Sequence, residues 1–493
     1  MASNLPDYVA SAQPVPQANR IPWFKSTAQT YAGIMLWFVF WQDVPVGPGL
    51  TAEHGMFAAS AGGTLAQGLG FAFLALVAAA LLCHFFYYLV PGLLGMKTGL
   101  PLYIVGTSTY GVTGGFLMPG FLMGVLQFGW LSVNAFFAGI LLCAPFGFGA
   151  GTVPHAVVAT VWAVLAAFMG LKGIQYVARV ATFLPLIPLA ILLVLFFVTV
   201  GGIGQFQPEN VVELGAREII ISDEQFLPAP SPAMSQWQVV AVILTYIIGF
   251  FATAGAAGAD FGMNNRDKKD VQLGGLVGIS LATIFAGGLS LLIVAGAYGM
   301  GAIGVDKPVL RTTALMDAVV DPKLASVFMY LLAIAAFPPA CFSSFIAANS
   351  FKTTLPKVNP FISVGIGTAV ACVLAVTGVA GDVVSVFVII GASFGPICGA
   401  MAADYILAGM KWPGPRAAFN PAGWISWIVG FAVGAAEVLA ANVPQLSVLK
   451  GMVPVPPLSA FVVGFLLYYI LAKLGFQSRV LEMPQAAAEP AAE

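Results

Sequence analysis

Charge is what this chain has least of. Of its 493 residues only 8% are Asp, Glu, Lys or Arg, where an ordinary soluble protein carries roughly a quarter. Together with 59% hydrophobic residues and a mean hydropathy of +0.94, that shortage excludes a water-soluble domain as the main body. The net charge is −1 and no basic tail is present, so no nucleic-acid partner is expected. Histidine is scarce: His54, His84 and His155 lie far apart, without ligand spacing. The five cysteines, Cys83, Cys143, Cys341, Cys372 and Cys398, all sit in apolar runs. They read as small buried hydrophobes rather than a disulfide framework or a metal set. The apolar runs hold no paired carboxylates, metal cluster or nucleophile–base set, so no enzyme is expected. No soluble stretch is large enough to carry a receptor's signal. No organic cofactor and no obligate protein partner is implied. Residues 1–26 are polar and proline-rich, with no charged segment leading into a short apolar core, so no cleavable signal peptide is expected. The Ala/Pro/Glu-rich end from Met483 has the composition of disorder.

What the chain has is apolar length. Runs able to span a bilayer, about 20 residues each, number twelve: 27–47, 65–95, 117–145, 154–171, 180–201, 236–258, 273–301, 325–350, 360–379, 383–407, 421–442 and 456–475. With the N-terminus inside, 14 of the 19 lysines and arginines fall in inner segments and 5 in outer loops. That asymmetry predicts both termini on the cytoplasmic side of a plasma (inner) membrane. Two outer loops are long. Residues 202–235 carry Glu209, Glu213, Glu218, Asp223 and Glu224; residues 302–324 carry Asp306, Asp317, Asp321 and three basic residues. They read as solvated loops, with lids over an outer vestibule as the other reading.

Span 1 runs aromatic and uncharged to Phe40 and then meets Trp41, Gln42 and Asp43, followed by Pro45, Gly47, Pro48 and Gly49. Proline removes a donor and glycine does not hold a helix, so the ladder is expected to open here. Open backbone at membrane depth needs protein or a water-filled cavity to receive it, and an acid there is a functional candidate. The other reading ends the helix near Phe40 with Asp43 in the headgroup zone. Span 6 is interrupted by Gly249, Gly255 and Gly258 and closed by Asp260. Two broken helices five spans apart point to a secondary transporter built from inverted repeats, 27–201 and 236–407. Around them lie the inner segment 1–26, the outer loop 202–235, two further spans in 408–476 and a disordered tail, 477–493. Close helix contacts are the alternative use of the span 6 glycines.

Five strings then resemble one family. Met96-Lys-Thr-Gly-Leu100 looks like the inner loop before span 3 of the cytosine permeases, and Gln127-Phe-Gly-Trp130 like their Gln-x-Gly-Trp motif. The stretch from Phe251 to Asp260-Phe261 looks like their span 6. Gly395-Pro-Ile-Cys-Gly-Ala-Met-Ala-Ala-Asp-Tyr405 resembles the inner end of their span 10. Ala340-Cys-Phe-Ser-Ser-Phe-Ile-Ala-Ala-Asn349 looks more like the family's hydantoin-transporting members. The chain thus resembles the nucleobase:cation symporters, the cytosine, purine, uracil, thiamine and allantoin permeases. The resemblance implies an all-α, twelve-helix fold of the leucine-transporter type, with a five-plus-five inverted repeat, alternating access and symport with sodium or protons.

A nucleobase, purine or pyrimidine, needs stacking faces and a few amides or hydroxyls. Gln127 and Trp130 share one helical face with Asn134. Trp130 and Phe251 are the stacking candidates, Gln127 the edge reader, and Thr253 and Asn349 further hydrogen-bonding groups; plain packing and interhelical bonds are the alternatives. Trp41 and Asp43 stand beside the break of span 1 as further candidates. For sodium the resemblance implies Ser343, Ser344 and the carbonyl of Ala340, completed by span 1 carbonyls near Phe38 and Trp41. A neutral oxygen cage of that kind suits a hard cation, whereas back-bonded helix serines would not supply one. Asp43 would bind a substrate amino edge, carry a proton, or hold the ammonium of an amino acid or amine in the competing transporter reading. Asp260 and Asp404 read as gate or capping groups, with Asp260 near Arg266, Lys268 and Lys269.

Overall fold

The computed structural model describes residues 5–47, 60–181, 183–215, 220–222, 225–226, 232–303 and 309–483. Pro48, Gly49, His54, Glu218, Asp223, Glu224, Asp306, Lys307 and the tail from 484 lie outside them. Among the described residues, ten helices are long and apolar enough to cross a membrane. They are α2 (Leu69–Thr98), α3 (Thr107–Phe146), α4 (Val153–Lys172), α5 (Leu186–Gln205), α6a (Gln236–Ala256), α7 (Lys268–Gly299), α8 (Pro322–Thr354), α10 (Val383–Leu407), α11 (Pro421–Asn442) and α12 (Pro456–Lys473). The two remaining expected spans fall on shorter elements. Span 1 is split into α1a (Thr27–Met35) and α1b (Phe38–Trp41), and span 9 is the 17-residue α9 (Pro360–Val376). The chain is a mostly helical, multi-pass membrane protein. One small antiparallel pairing, Ile220–Ser222 with Gln225–Phe226, interrupts the outer loop.

The break of span 1 lies earlier than its prolines and glycines suggest. Trp37 is extended, with φ −62° and ψ 127°. The chain then turns once more through α1b and leaves by the turns around Pro45. Beyond the break, the carbonyls of α1b find partners elsewhere in the fold. The Tyr246 hydroxyl, from α6a, lies 2.8 and 2.7 Å from the carbonyls of Val39 and Phe40 and donates its proton to them. The Ser290 hydroxyl on α7 donates to the Trp41 carbonyl at 2.5 Å.

Span 6 is barely broken. Only Ala257 separates α6a from α6b (Gly258–Gly262), and it keeps right-handed helical angles, φ −62° and ψ −5°. The glycines serve contact instead. A Cβ at Gly249 would lie 2.5 Å from the Phe387 carbonyl oxygen on α10, and Cβ atoms at Gly255 and Gly258 would collide with Tyr87 and Tyr88 on α2. The expected opening of span 6 is therefore corrected. Its small residues let backbones approach, as membrane helices lacking a strong hydrophobic drive require. The same holds at the inner end, where a Cβ on Gly262 would sit 2.2 Å from the Gly92 carbonyl.

Helices α10, α11 and α12 pack on one another, and α10 also packs on α6a, while α8 lies against α3 and α4. At the inner end of α10, Asp404 ties elements together rather than capping one. It accepts from Arg416 at 3.1 Å and from the Tyr468 hydroxyl on α12 at 2.7 Å. The segments flanking the spans are also ordered. Val9 is buried, and Tyr8 donates to the Val112 carbonyl and packs on Phe116. The tail expected to be disordered from 477 is held as far as Met483. Leu481 donates to the Pro415 carbonyl at 2.7 Å, and Ala417 to that of Arg479 at 2.9 Å.

Gly262→Leu should lower the melting temperature of the detergent-purified protein by several degrees, because Gly92 backbone occupies the space. Gly365→Leu, where nothing lies within 4 Å of an added Cβ, should leave it unchanged. Equal melting of both variants would refute the close-packing account.

Candidate functional site

A cavity of about 1060 Å³ lies between α1a, α1b, α3, α5, α6a, α6b and α8. Its deep end carries Trp37, Phe38, Gln127, Trp130, Phe250 and Thr253. Its wall continues through Tyr103 and Asn349 to the half-buried Thr353 and to Lys352, which is exposed at the end that carries most of the loop lysines and arginines. The cavity therefore opens on the basic side.

Trp130 stands at the closed end. Its indole N–H donates to Thr253 Oγ1 at 3.2 Å, which fixes the ring plane. Phe250 meets it edge-on at 5.3 Å between centroids, and Trp37 lies 6.0 Å away. Behind it Phe387 packs at 5.3 Å. The aromatic partner on α6a is thus Phe250. Phe251 is fully buried against Tyr31 and does not line the cavity, which corrects that candidate. Adjacent helical residues point about 100° apart, and here it is Phe250 rather than Phe251 that faces the cavity. Phe250 and Thr253, three apart, share that face.

Gln127 also lines the cavity. Its amide nitrogen has only the Met123 sulfur, at 3.6 Å, as a protein partner. Asn349 is exposed to the cavity, and its side-chain amide makes no protein hydrogen bond among the described residues. Asn134, on the same helical face of α3 as Gln127, is spent structurally. It donates to the Ala336 carbonyl at 2.9 Å and accepts from Trp162 at 2.9 Å.

Asp43 and Trp41 belong elsewhere. Asp43 is 4% exposed and lies beyond the aromatic wall, away from the cavity. Arg311, from the segment between α7 and α8, donates to it at 2.6 Å through Nε and at 3.4 Å through Nη2. The guanidinium also covers the Phe137 ring at 5.0 Å. Thr313 donates to Gln42 Oε1 at 2.7 Å, and the Thr312 N–H to the Gln42 carbonyl at 3.1 Å. Trp41 is fully buried and donates to the Leu36 carbonyl at 3.0 Å. This corrects both substrate assignments: the polar cluster after α1b is a seal. The segment from Val309 to Met316 is a packed lid rather than a solvated loop, since Arg311, Thr312, Leu315 and Met316 are all buried.

The candidate sodium ligands separate into two groups. Phe38 and Ser343 line the cavity, and Ser343 donates back to the Pro339 carbonyl at 3.2 Å. Ala340 and Ser344 are fully buried, and the Ser344 hydroxyl has no hydrogen-bond partner among the described residues. Its Cβ lies 2.9 Å from where a Cβ on Gly170 of α4 would stand. The Trp41 carbonyl is already taken by Ser290. An orphaned buried hydroxyl beside a serine at the cavity edge fits a ligand the protein itself does not supply. The engaged Trp41 carbonyl does not.

No family model matches the chain, and no curated protein matches it either. Solved structures do. The structure titled "Inward facing conformation of Mhp1" aligns with a TM-score of 0.60 and 14% identity, covering 97% of both chains. A closed, bromovinylhydantoin-bound form of Mhp1, titled a nucleobase-cation-symport-1 family transporter, aligns at 0.56 and 14% over 94% of this chain and 93% of that one. An outward-open Na+-coupled sialic acid symporter aligns at 0.50 and 13%, covering 97% and 95%. The chain shares its fold, of the leucine-transporter type, with these structures. At these identities the likeness concerns the fold.

Trp37, Phe250, Arg311 and Thr313 were not singled out from the sequence. The spacing of Phe250 and Thr253 was the available signal for one of them. Arg311 carried none, because its partner is 268 positions away.

Breaking the seal should open it. Arg311→Met leaves the Asp43 carboxylate buried and unpaired, a penalty of roughly 3–5 kcal/mol that hydration relieves. In a cysteine-free background, Thr313→Cys should react with a membrane-impermeant maleimide from the side opposite the basic loops. Adding Arg311→Met should raise that rate tenfold or more. An unchanged rate would remove Arg311 from the seal.

Proposed function

We propose that this chain is a cation-coupled secondary transporter of the nucleobase:cation symporter family that imports a flat heterocycle, a nucleobase or close relative, by alternating access. The observation that carries this reading is the under-satisfied Gln127 amide beside the Trp37–Trp130–Phe250 wall, in a cavity that reaches the basic side. An aromatic wall gives a planar solute a stacking face, of order 1–3 kcal/mol per ring. An amide with little protein bonding is free to read its polar edge. Thr253 holds Trp130 in place, and Asn349 is the second amide available to the solute. On this reading the basic side is the cytoplasm, residues 27–201 and 236–407 are the two inverted repeats, and the cavity faces inward. The structural neighbours agree in kind: Mhp1 is seen with bromovinylhydantoin, a heterocycle, bound, and another neighbour is a Na+-coupled sialic acid symporter. The reading in which Asp43 holds a substrate ammonium loses its motive, since Asp43 is already paired with Arg311.

Sodium is the proposed coupling ion at Ser343 and Ser344, with the carbonyls of Ala340 and Phe38. Two hydroxyls and main-chain oxygens form a neutral site suited to a hard monovalent cation. Releasing Ser343 from Pro339 and exposing Ser344 are the local changes such a site requires.

Thermal stabilisation of purified protein against nucleobases, hydantoins and amino acids should single out a heterocycle. Gln127→Ala and Trp130→Ala should each abolish that shift while keeping a folded melting transition. Stabilisation by amino acids alone, or normal shifts in both variants, would overturn the assignment. Sodium should strengthen the heterocycle shift in wild type, and Ser343→Ala with Ser344→Ala should cancel that gain. Because coupling is reciprocal, the heterocycle must tighten sodium by the same factor. A sodium effect that survives in the double variant would move the ion elsewhere.

A further inference from the structure

Asp260 stands in the cavity wall without a counter-ion among the described residues. Of the basic residues that the sequence sets near it, Lys268 and Lys269 are exposed and make no ion pair with it among the described residues, and Arg266 is engaged elsewhere. Arg266 pairs with Asp270 at 2.7 Å. Arg20 donates to the carbonyls of Met96, at 2.6 Å, and Val15, at 3.3 Å. Lys97, the charged group on the inner end of α2, reaches the Met410 carbonyl at 2.6 Å and lies over Tyr405. Lys352 on α8 lines the same cavity but makes no ion pair with Asp260. The tyrosines on the neighbouring elements are Tyr31 on α1a, whose hydroxyl donates to the Ala254 carbonyl at 2.8 Å, and Tyr103 in the turn before α3. What Asp260 does have is one main-chain donor, the Leu102 N–H, at 3.0 Å.

A carboxylate held by a single neutral donor beside Ala257, Phe261 and Leu102 is costly once water leaves the cavity. A metal cation would need several oxygen ligands, and this wall offers few. A proton needs none. We propose that Asp260 is a proton-binding site on the inner release path, neutralised when the cavity closes and deprotonated when the cavity opens to basic-side water. The balance is simple: with the inner path shut and the protein open outward, the carboxylate takes one proton from outer-side water, and it returns that proton to basic-side water as the inner path opens and rehydrates it. The proposal rests on the transporter reading for its role in the cycle, but not for the existence of the site. It adds a proton to the ion stoichiometry beside the serine site.

The site is tested without any substrate. Wild-type protein in nanodiscs is treated with dicyclohexylcarbodiimide, which attacks protonated carboxyls in apolar surroundings, across about pH 5 to 9. Labelled peptides are then read by mass spectrometry. Asp260 should label at low pH, and labelling should fall as pH rises. Asp404, held by Arg416 and Tyr468, should stay unlabelled. No labelling of Asp260 at any pH, or equal labelling of both acids, overturns the proposal. In a second arm, proteoliposomes take up radiolabelled cytosine with and without an acid-outside gradient. The gradient should speed wild type several-fold and leave Asp260→Asn unaffected, while Asp260→Asn keeps its cytosine thermal shift. A full gradient response in Asp260→Asn overturns the proposal. If no solute of the panel binds wild type, the transporter reading fails, and the labelling arm still decides the proton site.

Discussion

Two opposite charges, 2.6 Å apart and almost wholly removed from water, close one face of this protein. Neither Asp43 nor Arg311 could be buried alone, since an isolated charge in that setting is prohibitively expensive. Each therefore fixes the other. Asp43 draws the segment after α7 down onto the end of span 1, and Arg311 holds the chain beyond α1b against it. The bonds from Thr313 to Gln42, Thr312 to the Gln42 carbonyl and Ser290 to the Trp41 carbonyl follow from that docking. A buried pair of this kind adds little net stability compared with apolar packing. It is instead sensitive to water, which relieves its desolvation cost, and that suits a seal meant to open.

Beneath the ion pair lies an apolar layer. Trp37, Trp130, Phe250 and Phe387 pack ring against ring and divide the seal from the cavity. Tyr246 bridges the two layers, its ring against Phe387 and its hydroxyl on the span 1 carbonyls. The extended Trp37 lets one short segment serve both: Trp37 and Phe38 face the cavity, while Trp41 to Asp43 join the seal. On the other side, glycine contacts press α6b onto α2 with backbone against backbone, so these elements have little freedom to separate. Each of α2, α3 and α7 contains one π-helical turn, at Cys83–Tyr88, Phe116–Phe121 and Leu276–Leu281. Such turns carry a spare residue and frequently sit at functional positions in helices.

Much of the architecture was legible in the chain itself. Spans 10 and 11 fall on Val383–Leu407 and Pro421–Asn442, as the apolar runs indicate. Span length follows from the thickness of a bilayer and needs no knowledge of neighbours. The site was legible only in part. Gln127, Trp130, Thr253 and Asn349 meet in one cavity, because helical periodicity and polar residues in apolar helices are local signals. The local pattern points Asp43 and Trp41 at the cavity and favours Phe251, whereas in the fold Asp43 and Trp41 lie away from it and Phe250 lines it. The sequence around Asp43 announces a buried acid near a break, and it says nothing about which cation will meet it.

What the sequence alone determined is whatever depends on each segment's exchange between water and lipid: the spans, the charge asymmetry of their loops, and the presence of polar groups that cannot face lipid. Tertiary structure decided how those groups are used. It spent the span 6 glycines on close contact rather than on unwinding, moved the span 1 break to Trp37, and gave Asp43 to Arg311. It gave Arg266 to Asp270 and so left Asp260 without a counter-ion among the described residues. The reason is physical: a buried polar group must be satisfied, but any group of suitable chemistry within reach can do it. Which one arrives is set by packing between segments hundreds of residues apart.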